Sequence, residues 1–245
     1  MAGKRGRDFA EHYRLVAHRG LHEERAGIPE NSLPAFRRAV EAGKAIEFDV
    51  HVTADNKLVV FHDEQLQRMT GVPGNIEEWS LADLRKLRLQ KTEYGIPTLD
   101  EVLELVDGRV PLLIEIKNYK AANVGRLESR LKERLVRYTG EFILESFNPE
   151  VLVWLHRHAP QFIRGQLGNL SDENKGFQFY SSHLMFNPLT KPDFIAFQAS
   201  KIGYRLRMTC KKKKIPLFGW TIRTEEELAR ARRLCDGVIY EHLEL

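Results

Sequence analysis

The 245-residue sequence has only two cysteines, Cys210 and Cys235. They form no CxxC pair and join no Cys/His cluster, so a structural zinc site is not expected and two reduced thiols are. The sequence also lacks any apolar run near the roughly 18 residues that a membrane span requires, so stable membrane insertion is not expected. The N-terminal stretch MAGKRGRDFAEHYR is charged, with no apolar segment behind it. It does not read as a secretory signal, and the expected location is cytoplasmic. No Ser/Gly-rich or Pro-rich linker, composition shift or internal repeat interrupts the chain, so residues 1–245 read as a single domain. A strong excess of one charge is missing too. Lys plus Arg number 38 against 34 Asp plus Glu, a formal net charge of +4. That surplus is too small to point to nucleic acid as a partner. Four of the basic residues sit together at Lys211–Lys214, where the C-terminal end of a helix would favour them.

What is present is ordinary globular material. Hydrophobic residues make up 42% and charged residues 29%, enough to bury a core and to exclude general disorder. Nine short apolar runs read as strands: Leu15–Ala17, Ile46–Val52, Leu58–Phe61, Leu112–Ile116, Phe142–Leu144, Phe162–Leu167, Phe194–Phe197, Ile215–Ile222 and Val238–Tyr240. Most are continuous rather than alternating, as in strands covered on both faces. Helical patterns lie between many of them, at Asn31–Ala42, Thr98–Val106, Ala122–Tyr138, Glu150–His158 and Glu225–Leu234. Strand–helix alternation implies an α/β fold with a parallel sheet. Nine candidates for the eight places of a barrel mean that one of them lies outside it or is not a strand. The stretch Gly71–Pro97, with its Gly, Pro and short SLADLRKLRL segment, reads as an insertion after the third strand. The apolar segment Gly176–Lys191 reads as a buried helix, with a lid or a membrane-facing patch as alternatives.

Three segments carry chemistry. In Ile46-Glu47-Phe48-Asp49-Val50, strand alternation turns Glu47 and Asp49 to the same face. Two carboxylates on a buried face repel each other and are costly to desolvate, which a bound cation or basic partners would resolve. Glu115 and Lys117 alternate with Ile114 and Ile116 in the same way, so either Glu115 is a third acid of a hard-cation site with oxygen ligands, or the two residues form a plain Glu–Lys salt bridge. His18 and His62 each end a strand-like run, where a histidine can serve as acid or base. Arg19 next to His18 has the planar fork that suits a phosphate. His51 shares the face of Asp49 and remains undecided, while His12, His22, His156, His158, His183 and His242 read as structural or surface residues. Two candidate proton-transfer groups, two phosphate-binding cations and three acids describe metal-assisted phosphoryl chemistry.

The motifs HRG at His18–Gly20, PENS at Pro29–Ser32, EFDVHVTADNKLVVFHD at Glu47–Asp63 and IEIK at Ile114–Lys117 resemble, in order and spacing, the glycerophosphodiester phosphodiesterase family. IPTLDEVLELV, ESFNPE and GWTIRTEEEL extend the resemblance over nearly the whole chain. It implies a TIM (β/α)8 barrel with a small insertion at about residues 71–97. It also implies a divalent-metal cofactor, Mg²⁺ or Ca²⁺, on Glu47, Asp49 and Glu115, with His18 and His62 as the acid/base pair. Arg19 and Lys117 would hold the phosphate of a small glycerophosphodiester substrate. Glu30 and Asn31 would support the site from the first βα loop, and Phe147 and Trp220 would wall the glycerol. The implied reaction is hydrolysis to sn-glycerol 3-phosphate and an alcohol, with either water or a neighbouring glycerol hydroxyl as nucleophile. Two other readings are a barrel phosphodiesterase acting on a lysophospholipid or sphingomyelin, and a catalytically idle barrel that binds a phosphodiester. The sequence departs from the family pattern at Arg223 and at Tyr240-Glu241-His242, near the rim.

Overall fold

The structure, a computed structural model, describes residues 9–118, 123–169, 187–243 and 245. They form two compact units. One is Ala17–Glu141, and the other joins Phe142–Leu245 to the described residues up to Val16. All nine expected strands are present, beginning with β1 (Leu15–Ala17).

In the first unit, β2 (Ala45–Val52) lies between β3 (Leu58–Val60) and β4 (Leu112–Ile116). It runs parallel to β4 and antiparallel to β3. The antiparallel turn explains the short link after Val52. Thr53 N–H donates to Lys57 O at 2.9 Å, and Asn56 takes a left-handed conformation with φ 61°. A parallel crossover needs a dozen or more residues, so only a hairpin fits here. All eight residues of β2 are buried, as its continuous apolar character requires. Helix α1 (Leu33–Glu41) starts after Ser32, whose Oγ accepts from Ala35 N–H, and carries a proline in its first turn. It ends before Gly43, at φ 62°, as the sequence suggests.

Beyond β3 come the short helices α2 (Gln67–Thr70) and α3 (Leu81–Leu84), then α4 (Leu99–Val106). The capping box expected at Thr98 and Glu101 is formed. Only four residues of SLADLRKLRL are α-helical, because the chain turns after Arg85 and buries Leu89. Val59, Phe61, Leu66, Met69, Ile76, Leu84, Leu89 and Ile96 form one buried cluster. Ile76, Leu84, Leu89 and Ile96 of the inserted segment therefore pack on residues that precede it, Val59 of β3 and Phe61, Leu66 and Met69 after it. Leu84, fully buried there, makes the point testable. Leu84→Ala should lower unfolding stability by about 2–5 kcal/mol, the transfer and cavity cost of a buried leucine. Urea unfolding followed by tryptophan fluorescence would measure it, and a loss within error would show that the segment closes around the void.

Helix α5 (Arg126–Leu135) completes the first unit and is shorter than the sequence pattern suggested. In the second unit, β5 (Phe142–Ser146), β6 (Arg164–Gly168), β7 (Phe194–Gln198), β8 (Leu217–Ile222) and β9 (Gly237–Tyr240) pair in parallel in that order. Helices α6 (Pro149–His158), α7 (Asn187–Thr190), α8 (Tyr204–Lys213) and α9 (Glu225–Leu234) connect them. Lys211–Lys213 form the last turn of α8 and are exposed with Lys214, as expected of a solvated helix end. Most of the apolar segment Gly176–Lys191 lies outside the described residues. No helix among the described residues is long and apolar enough to cross a membrane.

Candidate active site

The first unit gathers every charged residue that the sequence assigns to a site. Register does much of the work. In the parallel β2–β4 pair, Asp49 stands opposite Glu115. Directly paired strand residues share a face and lie on strands about 4.8 Å apart. Glu47, two residues before Asp49, points the same way. One carboxylate oxygen from each of Glu47, Asp49 and Glu115 falls within 4.8 Å of the others, and all three residues are buried.

Basic groups surround them. Lys117 Nζ lies 2.7 Å from Glu115 Oε1 and 3.0 Å from Asp49 Oδ1. Arg19 donates its backbone N–H to Glu47 Oε2 at 2.9 Å and Nη1 to Glu30 Oε1 at 2.8 Å. Its Nε is 3.6 Å from Asp49 Oδ2. Asn31 Nδ2 donates to Asp49 Oδ2 at 2.7 Å. His18 Nε2 is 3.9 Å from Glu47 Oε2. These contacts depend on a tight turn after β1, where Arg19 and Gly20 have φ of 55° and 81°. A Cβ on Gly20 would come within 2.9 Å of the Ala35 carbonyl carbon, so only glycine lets α1 approach this closely.

The electrostatics are unequal within the acid cluster. Burial pushes the Asp49 carboxyl up, but Lys117, His62 and Arg19, with the hydrogen bond from Asn31, hold it far below the usual carboxylate range. Glu115 goes the other way. Burial raises it and the charge of Asp49 adds to the rise, against the pull of Lys117. Burial opposes ionisation of Glu30 as well, yet hydrogen bonding to Arg68 and the charge of Arg19 keep it low.

Two residues escaped the sequence reading. His62 Nδ1 donates to Asp63 Oδ1 at 2.6 Å. Arg68 in α2 donates Nε and Nη2 to Asp63 at 2.5 and 3.0 Å, and Nη1 and Nη2 to Glu30 at 3.1 and 2.7 Å. Asp63 could have been suspected from its place next to His62. Arg68, in the short helix just before the inserted segment, has no such signal. His51 is fully buried, with Nε2 3.3 Å from His62 O, a placement that supports the backbone of the His62 turn. Phe147 and Trp220 belong to the second unit, where their rings meet edge to face at 5.6 Å.

The model of the glycerophosphoryl diester phosphodiesterase family matches residues 18–245. A glycerophosphodiester phosphodiesterase of Caldanaerobacter subterraneus subsp. tengcongensis is 32% identical, over 92% of each chain. This chain belongs to the glycerophosphoryl diester phosphodiesterase family. As a member of that family it is an enzyme, a phosphoric diester hydrolase. Solved structures agree in fold. A glycerophosphodiester phosphodiesterase from Thermotoga maritima superposes with a TM-score of 0.73 at 28% identity, covering 93% of this chain and 94% of that one. An Oleispira antarctica phosphodiesterase, in complex with the product sn-glycerol-3-phosphate, gives 0.77 at 23% identity, covering 93% and 92%. The fold class is the TIM barrel of this family, and β3, antiparallel to β2, is the ninth strand that lies outside the eight.

The donor set also fits a metal. Its three buried acids offer oxygen only, which suits a hard divalent cation. Glu47, Asp49, Glu115, Glu30 and Asp63 carry five negative charges when ionised, against three positive charges on Arg19, Lys117 and Arg68.

Proposed function

We propose that this phosphodiesterase hydrolyses glycerophosphodiesters to sn-glycerol 3-phosphate and an alcohol, with Mg²⁺ or Ca²⁺ held by Glu47, Asp49 and Glu115. The convergence of these three carboxylates beside Arg19 and Lys117, in a family of phosphodiester hydrolases, carries the reading. The product named in the Oleispira antarctica complex supports the choice of substrate class.

When bound, the ion supplies charge neutralisation at the phosphate as the transition state forms. Arg19 and Lys117 hold phosphate oxygens; Arg19 is preset for this by Glu30 and Asp49. His18 and His62 share the proton transfers. One takes the proton of the attacking water, or of a neighbouring glycerol hydroxyl whose cyclic phosphate product water then opens, as the new P–O bond forms. The other protonates the alcohol oxygen as the old P–O bond breaks. Asp63 accepts from Nδ1 of His62, which fixes the ring and leaves Nε2 as the nitrogen that exchanges protons with substrate.

The test is an assay for sn-glycerol 3-phosphate released from glycerophosphocholine and glycerophosphoethanolamine, with and without added metal. Metal-dependent release of that product is expected. Activity confined to acylated substrates such as lysophosphatidylcholine would replace this reading with a lysophospholipid one. Binding without turnover of any of them would leave a non-catalytic phosphodiester-binding protein.

A further inference from the structure

We infer that Arg68 is a positioning residue for the reaction, one guanidinium that locks His62 through Asp63 and Arg19 through Glu30. The inference rests on the site reading above and adds to it a residue from α2, just before the inserted segment. The geometry is unusual for a surface arginine. Its side chain is 46% exposed, and an exposed ion pair alone contributes little. Here, however, Nε and Nη2 reach both oxygens of Asp63, while Nη1 and Nη2 reach both oxygens of Glu30. The fork satisfies two carboxylates at once, with the planar fit that a lysine ammonium lacks.

Each carboxylate has a second partner, and each of those is a proposed reaction group. Asp63 Oδ1 accepts from both His62 Nδ1 and Arg68 Nη2. Glu30 Oε1 accepts from both Arg19 Nη1 and Arg68 Nη2. Nη2 of Arg68 is thus shared between the two carboxylates that aim the histidine and the phosphate-binding arginine. Without it, Asp63 and Glu30 are free to turn toward solvent, and their partners lose a fixed direction. Met69, the next residue of α2, is buried in the apolar cluster that also takes in Val59, Phe61 and the inserted segment, so the helix that presents Arg68 is itself anchored. Helix α2 therefore reaches the proposed reaction centre through a specific side chain.

The experiment compares Arg68→Ala, Arg68→Lys, His62→Ala, Arg19→Ala and the double variants that combine Arg68→Ala with each of the other two positions. Arg68→Ala should lower kcat by about 10- to 100-fold, the usual cost of removing a group that orients a reacting residue, with KM raised less. Arg68→Lys keeps the charge and packs similarly, so it should fold even if the alanine variant does not. It should still lose kcat, because an ammonium cannot span both carboxylates. Millimolar guanidinium should restore part of the Arg68→Ala rate, which a purely anchoring role would not allow. In the His62→Ala background the further loss from Arg68→Ala should shrink, since residues acting as a unit are not additive. Wild-type kcat in both Arg68 variants, or full multiplicative losses in both double variants, would overturn the inference while leaving the site reading in place. Near-normal turnover in His62→Ala and Arg19→Ala would overturn the site reading, and this inference with it.

Discussion

Stripping divalent metal with a chelator should abolish turnover, and adding back Mg²⁺ or Ca²⁺ should restore it. The expectation follows from three buried acids whose nearest oxygens lie within 4.8 Å of one another. At that range like charges cannot all ionise cheaply, and the Glu115 carboxyl is raised by burial first and by the charge of Asp49 after it. Asp49→Asn and Glu115→Gln should each lose activity and bind metal more weakly. Asp49→Asn should also unfold more easily, because it leaves Lys117, 3% exposed, with one anionic partner fewer. Metal that binds only the folded protein should raise the unfolding free energy by about 2.7 kcal/mol at a free concentration one hundred times its Kd. Calorimetric melting with and without metal would measure this independently of catalysis. A chelated enzyme that kept both its rate and its melting temperature would show that Lys117, Arg19 and the histidines neutralise the acids unaided.

His18→Ala and His62→Ala should each reduce kcat by about 100-fold or more, the usual contribution of a positioned proton donor or acceptor. Both histidines keep some contact with solvent, with side-chain exposures of 14% and 31%, and neither fills the core. Their replacement should therefore leave the melting temperature close to that of wild type. The rate should depend on pH with two limbs, one for the proton acceptor and one for the proton donor. Turnover within a few-fold of wild type in one of these variants would remove that histidine from the reaction.

Much of this site was legible in the sequence because β2 carries its chemistry in a period of two. Glu47 and Asp49 alternate with buried Ile46, Phe48 and Val50, and no other local structure places both acids on one face. Glu115 was legible as an acid on a similar strand. Its pairing with Asp49 was not, because register between strands more than sixty residues apart is set by packing across the sheet. The surplus ninth strand was countable but not identifiable. What singles out β3 is its antiparallel pairing with β2, for which the brevity of the Thr53–Lys57 link was the only local clue. The Arg68 network was hidden for the same reason as the register. Glu30 and Arg68 are 38 positions apart, and no local pattern marks an arginine whose partners are brought in by tertiary structure.

The ammonium of Lys117, seated between Asp49 and Glu115, also bears on how the protein lives with a scarce ion. Small zinc domains depend on their metal to fold, and depletion destroys them. Here a covalently attached cation already shields the acids, so assembly of the polypeptide need not wait for an ion to arrive. Shortage should then silence the enzyme without discarding it, leaving a dormant, intact pool that supply alone can awaken.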